Sequence, residues 1–294
     1  LQEGWHMMKD SVLHVMLENG EASVLIARTS KTVARAREIH GLSDTAAAAL
    51  GRALTAGLMM GSAVKNDFTS VTLSISGNGP LGRIVVVSGT KGVKGYVENP
   101  ECSLPLTPSG QLDVGGAVGK KGRLAVVRDM GLKEPYVGQV ELYSGEIAED
   151  LAWYFAVSEQ QPSLVALSVR LAQDAVAAGG VLISALPGCS DELITKLEMR
   201  SMLMKAVGEF VAEGKTLEEM VPMLFGGIET HILEKKEIGW RCDCTPERIE
   251  TVLIGLGTQE LAEIAASDEN TEVACQFCKT AYRFTPKQIR ALAE

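Results

Sequence analysis

The sequence predicts an α+β protein: an N-terminal α/β core domain of short-strand sheets and helices, a helical linker, and a small cysteine-bearing C-terminal domain. Three observations carry this. From Ser11 to about Leu186 apolar residues switch between strand and helix spacing. After the Leu186-Pro187-Gly188 break the spacing turns helical, and four of the six cysteines then fall in two close pairs beyond residue 240. The expected boundaries are 8–186 for the core, 187–236 for the linker and 237–294 for the C-terminal domain.

Taken in order, Ser43 to Val64 is rich in Ala and Leu and predicts a helix with Ser43 as its N-cap. Val71, Leu73 and Ile75 alternate with Thr72, Ser74 and Ser76. Gly77-Asn78-Gly79-Pro80 then turns into the run Ile84 to Val87, which predicts a β-hairpin. The Gly-rich stretches Gly89 to Gly95 and Gly115 to Gly122 fit turns between short strands. Glu146 to Val157 places Ile147, Leu151, Tyr154 and Phe155 at helical spacing, and Val165, Leu167, Val169 and Leu171 alternate as a strand. In the linker, Asp191 to Ala212 has no Pro and one Gly and predicts a helix. Thr216 with Glu219 is a capping box that opens another, running to about Pro222 or Phe225 before Gly226-Gly227 breaks the pattern. In the C-terminal domain, Thr245-Pro246 and Thr285-Pro286 each set an N-cap before a Pro at the first helical position.

The 294 residues include 28 Lys plus Arg against 37 Asp plus Glu, a net charge of −9, and 46% are hydrophobic. That length buries a sizeable core without disulfide staples. The acidic balance argues against nucleic-acid or anionic-membrane binding, which relies on clustered positive charge. The longest uncharged stretch, Ala175 to Ser190, spans sixteen residues broken by Gly179-Gly180 and Pro187-Gly188, short of the roughly twenty a membrane-spanning helix needs. Leu1 to His6 read as residues added before a natural start at Met7-Met8, with no leader pattern after them. A cytoplasmic protein is expected, in which cysteines close in sequence are metal ligands or redox sensors.

The sharpest motif is Cys242-Asp243-Cys244, thirty intervening residues, then Cys275-Gln276-Phe277-Cys278. Zinc takes four thiolates at about 2.3 Å in a tetrahedron, and two close pairs supply them from two turns. One tetrahedral Zn2+ on Cys242, Cys244, Cys275 and Cys278 is expected. The first pair, Cys-x-Cys, is tighter than ordinary structural zinc sites use, and close thiols can also oxidise each other. Local disulfides would close tiny loops and leave the thirty-residue connection without its cross-link. Zinc contributes on the order of 10 kcal/mol to folding a small domain, so oxidation with loss of the metal should unfold this one.

Five of the eleven methionines, Met199, Met202, Met204, Met220 and Met223, fall in the linker just before the cysteines. Methionine is over-used on promiscuous binding surfaces because it packs against many shapes. These five are either ordinary core positions of amphipathic helices or a binding surface, and the two readings coexist if the linker is buried in one state and exposed in another.

Other motifs weigh less. Gly77-Asn78-Gly79-Pro80-Leu81-Gly82 matches a dinucleotide-binding pattern, but the β-rich Ile84 to Val87 follows where a phosphate-binding helix would have to start. His6, His14, His40 and His231 are scattered. His231 precedes the cysteines closely, yet four thiolates already complete a tetrahedron. Cys102 and Cys189 are isolated and read as small buried hydrophobes. Glu234-Lys235-Lys236-Glu237 reads as a solvated segment.

The cysteine pairs, with Arg241, Thr245-Pro246-Glu247-Arg248 and Tyr282-Arg283-Phe284 around them, resemble the redox-regulated 33-kilodalton heat-shock chaperone family. Ser158-Glu159-Gln160, Gly179-Gly180 and Leu186-Pro187-Gly188 extend the likeness over nearly the whole chain from Met8. The resemblance implies a stress-responsive, ATP-independent holdase and not an enzyme. It implies that the reduced zinc-bound form is inactive, and that oxidation joins Cys242 with Cys244 and Cys275 with Cys278. Zinc then leaves, the linker unfolds, and unfolding client proteins are bound and kept from aggregating. It also implies a homodimer on activation, with client binding and dimerisation in the core domain. Two alternatives stand beside it. One is a thiol-disulfide oxidoreductase using Cys275 and Cys278, which needs a low-pKa attacking thiolate. The other is a zinc-ribbon nucleic-acid module, disfavoured because residues 237–294 carry six Lys plus Arg against ten Asp plus Glu.

Overall fold

Strands β1 (Ser11–Leu17) and β2 (Ala22–Arg28) form a hairpin, followed by helices α1 (Ser30–His40) and α2 (Asp44–Ser62). The structure, a computed structural model, describes residues 8–64, 66, 69–172, 175–266 and 269–292. The readings made of Leu1 to His6 and of Met7 lie outside them. The chain continues through β3 (Ser70–Ser76), β4 (Arg83–Gly89), β5 (Gly92–Val97), the short α3 (Val114–Val118), β6 (Arg123–Asp129) and β7 (Tyr136–Glu141). It then forms α4 (Ile147–Val157), β8 (Ser163–Ala172) and β9 (Ala175–Ala185). Helices α5 (Asp191–Met204), α6 (Val207–Ala212) and α7 (Leu217–Phe225) lead to β10 (Thr230–Glu237). Two compact units result, one ending at Arg241 and one beginning at Cys242.

In the larger unit the strands make two five-stranded antiparallel sheets, ordered β10-β1-β2-β9-β8 and β5-β4-β3-β6-β7. Between them lies α2, which starts where Ser43 Oγ accepts from Ala46 N at 3.1 Å. Every residue of α2 except Asp44 and Arg52 is buried. Its small residues let the neighbouring elements come close: a Cβ on Gly57 would stand 2.6 Å from Val86 Cγ1. The Gly77–Gly82 loop joins β3 to β4 and packs against α3, with Leu81 N donating to Ala117 O at 3.0 Å. It leads into a strand and offers no helix N-terminus to a phosphate.

The opposite face of the first sheet is covered by α5 to α7. Leu13, Val15, Val24, Ile26, Val181 and Ile183 form a second core with Leu197, Met204, Val211, Met220, Leu224 and Phe225. A sheet buried on both faces needs apolar residues in succession, which explains Val24-Leu25-Ile26-Ala27. The one-sided β3 and β4 instead alternate buried positions with half-buried or exposed ones.

Three expectations for residues 187–236 are corrected. The helix over Asp191 to Ala212 is interrupted at Lys205-Ala206, so that α5 and α6 approach the sheet separately. Residues 230–236 are not helical: β10 adds to the edge of the first sheet by pairing with β1, where its backbone groups find partners. The expected boundary at residue 237 falls instead after Arg241, because Ile238 N still donates to Asp10 O and Arg241 N to Val93 O within the larger unit.

The smaller unit comprises α8 (Pro246–Ile254), α9 (Thr258–Ala265), the hairpin of β11 (Thr271–Ala274) and β12 (Ala281–Phe284), and α10 (Pro286–Leu292). Both Thr-Pro starts form as the sequence indicates. Its buried core is small: Ile249, Leu253, Leu261, Ala265, Phe284 and Ile289.

Candidate metal centre

Two turns bring the four paired cysteines together. Cys242 and Cys244 lie on the extended approach to α8, whose cap Thr245 accepts from Arg248 N at 3.3 Å. Arg248 in turn holds Asp243, the residue between them, by its carboxylate and, at 3.1 Å, by its carbonyl oxygen. Cys275 and Cys278 occupy the turn between β11 and β12, where Cys275 N donates to Thr280 O at 2.9 Å and Lys279 N to Cys275 O at 2.8 Å. Closing that turn requires Lys279 to adopt a left-handed φ of 59°.

All four sulfurs lie within 4.8 Å of one another, and all six cysteines are free thiols. Cys242 Sγ stands 3.8 Å from Cys275 Sγ, and Cys244 Sγ 3.2 Å from Cys278 Sγ. A tetrahedron with metal–sulfur bonds of about 2.3 Å has edges of about 3.8 Å, so the spacing fits zinc. Soft thiolates select zinc over the hard cations that carboxylates and carbonyls attract.

The sulfurs are electrostatically unequal. Burial pushes the Cys242 thiol up to about 12, its neighbouring sulfurs adding to the effect, and burial raises Cys244 as well. At Cys278 burial acts in the same direction but is outweighed by hydrogen bonds from Thr280 and the other cysteines, which bring the thiol down to about 6. Tyr282 Oη lies 3.1 Å from both the carbonyl oxygen and Sγ of Cys244, and that hydrogen bond, with burial behind it, raises the phenol to about 12. Thr280 and Tyr282 went unassigned on sequence; the available signal was two hydroxyl residues at alternate positions just beyond Cys278.

The remaining candidates lie elsewhere. His231 sits on β10 with Nε2 3.0 Å from Glu229 Oε1. Cys102 packs against the first core and Cys189 against the second, and burial raises both thiols. The five linker methionines divide: Met204 and Met220 are fully buried in the second core, whereas Met199, Met202 and Met223 are 74%, 70% and 38% exposed. Met199 lines a surface groove with Leu203 and Ile228. Among the described residues no helix is long and apolar enough to cross a membrane.

Comparison with known proteins follows the same outline. A family model described as Hsp33 protein matches residues 10–285. A 33 kDa chaperonin of Clostridioides difficile is 42% identical, covering 96% of this chain and 98% of the relative. One from Clostridium perfringens is 43% identical, covering 98% and 92%. The crystal structure of the 33 kDa chaperonin of Thermotoga maritima superposes with a TM-score of 0.85 at 34% identity, covering 97% of this chain and 98% of that one.

Proposed function

The chain belongs to the Hsp33 family and is a redox-regulated chaperone, and from that premise we propose how its cysteines and its methionine-bearing helices divide the task. In the reduced state Cys242, Cys244, Cys275 and Cys278 hold one Zn2+. When bound, zinc supplies a tetrahedral cross-link between the two cysteine pairs and so closes the stretch between them. Asp243 and Arg248 fix the first pair, and the turn at Lys279 fixes the second.

Oxidation joins Cys242 with Cys244 and Cys275 with Cys278, and the four donors are spent in two local disulfides. The observation that carries this reading is a cluster of four sulfurs in a unit whose apolar cluster, among the described residues, buries six side chains. A core that small does not sustain a fold alone. Unfolding of residues 242–294 then spreads along the chain through β10 into α5 to α7. That bares Met204, Met220 and the apolar face of the first sheet beside the already exposed Met199, Met202 and Met223. Methionine adapts to many shapes, which suits a holdase whose partners are unfolding chains and which needs no ATP. On this reading the protein is cytoplasmic, pairs into a homodimer when active and catalyses no reaction.

The test treats zinc-loaded protein with peroxide under mild thermal stress and follows bound zinc, free thiols and suppression of client aggregation together. Loss of zinc with a matching rise in suppression is expected. Zinc loss without any gain in suppression overturns the reading, and catalytic turnover of a dithiol substrate would favour the oxidoreductase alternative.

A further inference from the structure

We propose that Tyr282 and Thr280 are positioning residues that set how fast the cysteine centre oxidises, each by giving its hydroxyl proton to one sulfur of a pair. The proposal rests on the reading of the four cysteines as oxidisable metal-ligating thiolates.

Tyr282 Oη lies 3.1 Å from Cys244 Sγ, its proton shared with the Cys244 carbonyl oxygen at the same distance. Thr280 Oγ1 lies 3.2 Å from Cys278 Sγ and donates when that sulfur is a thiolate. Positions two apart on extended chain share a side, so Thr280 and Tyr282 present both hydroxyls to the cluster from one edge. The pairing of Val273 with Tyr282 and Ala274 with Ala281, together with Cys275 N donating to Thr280 O at 2.9 Å, fixes that edge. Each pair is thereby made asymmetric: Cys244 and Cys278 carry a hydroxyl donor, while the sulfurs of Cys242 and Cys275 face each other at 3.8 Å.

The consequence concerns attack on a peroxide. In the first step a thiolate sulfur gives an electron pair to one peroxide oxygen, the O–O bond breaks, and hydroxide leaves, forming a sulfenic acid. The second thiolate of the pair then attacks that sulfur, the S–O bond breaks, and a second hydroxide leaves with the disulfide formed. Two thiolates lose two electrons, one peroxide gains them, and two protons from solvent turn the hydroxides into water. In the zinc-bound state all four sulfurs would be thiolates whatever their free values, and among thiolates one stabilised by a hydrogen bond is the weaker nucleophile. The hydroxyls therefore hold back Cys244 and Cys278, leave Cys242 and Cys275 as the first attackers, and slow the whole centre.

The test uses full-length zinc-loaded protein carrying Tyr282→Phe, Thr280→Val or Thr280→Ser, with free thiols and released zinc counted over time in peroxide. In parallel, cobalt replaces zinc and the thiolate-to-cobalt charge-transfer band is recorded. Tyr282→Phe and Thr280→Val should each oxidise about threefold faster and shift the band to lower energy, while Thr280→Ser keeps the parent rate and band. Unchanged rates and bands in Tyr282→Phe and Thr280→Val overturn the proposal. So does loss of zinc before oxidant is added with no band shift, which would make the hydroxyls structural only. If the parent protein itself keeps its zinc in peroxide, it is the switch reading that fails.

Discussion

The sulfurs of Cys244 and Cys278 lie 3.2 Å apart although they belong to different pairs, and those of Cys242 and Cys275 likewise meet across the pairs at 3.8 Å. A clamp requires such cross-pair contact, because only links between the pairs close the thirty residues that separate them. On the chain-entropy model that closure is worth about 3.5 kcal/mol. Disulfides within the pairs forfeit it, whereas a Cys244–Cys278 disulfide would preserve it. The direction of pairing therefore decides whether oxidation loosens or locks the smaller unit.

Replacing Cys242 or Cys275 by Ser should abolish stoichiometric zinc binding and collapse the amide dispersion of residues 242–292 in NMR spectra. Cys102→Ser and Cys189→Ser should each retain one zinc per chain by elemental analysis, since both thiols pack against cores in the larger unit.

The methionines should separate by burial. Met220→Ala leaves a cavity against the first sheet and should destabilise the larger unit by about 2 to 5 kcal/mol in urea unfolding. Met199→Ser and Met202→Ser, on exposed side chains, should stay within about 0.5 kcal/mol of the parent. They should nevertheless lower the oxidised protein's suppression of client aggregation, measured by light scattering.

Acid should loosen α7. Donation by the Thr216 amide, and then by its hydroxyl, holds the Glu219 carboxyl below its ordinary range. A group lowered by folding stabilises fully above its unfolded value, about 4.3 for Glu, and that contribution is lost as pH falls through the folded value. Amide protection in α7 should accordingly weaken below about pH 4.3, and Glu219→Gln should flatten this dependence. Thr216→Ala, which removes the cap itself, should cost about 1 kcal/mol at neutral pH.

Lys279 bears a backbone conformation that glycine adopts without penalty and a β-branched residue resists, by about 1 to 2 kcal/mol. In chelator competition, Lys279→Gly should hold zinc at least as tightly as the parent. Lys279→Val should yield its metal at roughly tenfold lower chelator concentration, the equivalent of about 1.4 kcal/mol.

Much of this was legible in the residues. Ser43, the Thr216–Glu219 box and the two Thr-Pro starts mark helix ends through their own hydrogen bonds, and the alternation through Val71, Leu73 and Ile75 reports a sheet with one buried face. Four cysteines in two pairs announce their cluster because zinc sites recur at such spacings. What escaped depended on distant parts of the chain. Strand β10 pairs with β1 more than two hundred residues away, and as an edge strand its outward residues, Ile232, Leu233 and the Glu234–Glu237 charges, follow no clean period. No Pro or Gly marks the break at Lys205-Ala206. Composition gathers the linker methionines together, yet only the packing of α5 and α7 on the first sheet separates buried Met204 and Met220 from exposed Met199, Met202 and Met223. Pro222 lies within α7 because Leu224 and Phe225 beyond it are held in the second core.

Hydrogen–deuterium exchange of the full-length zinc-loaded chain, read peptide by peptide before and after peroxide, tests the central claim most directly. Oxidation should strip protection from residues 242–292 first and from Val207–Phe225 next, while Asp44–Ser62, held between the two sheets, stays protected. An oxidised chain that has lost its zinc yet keeps residues 242–292 protected would contradict the account.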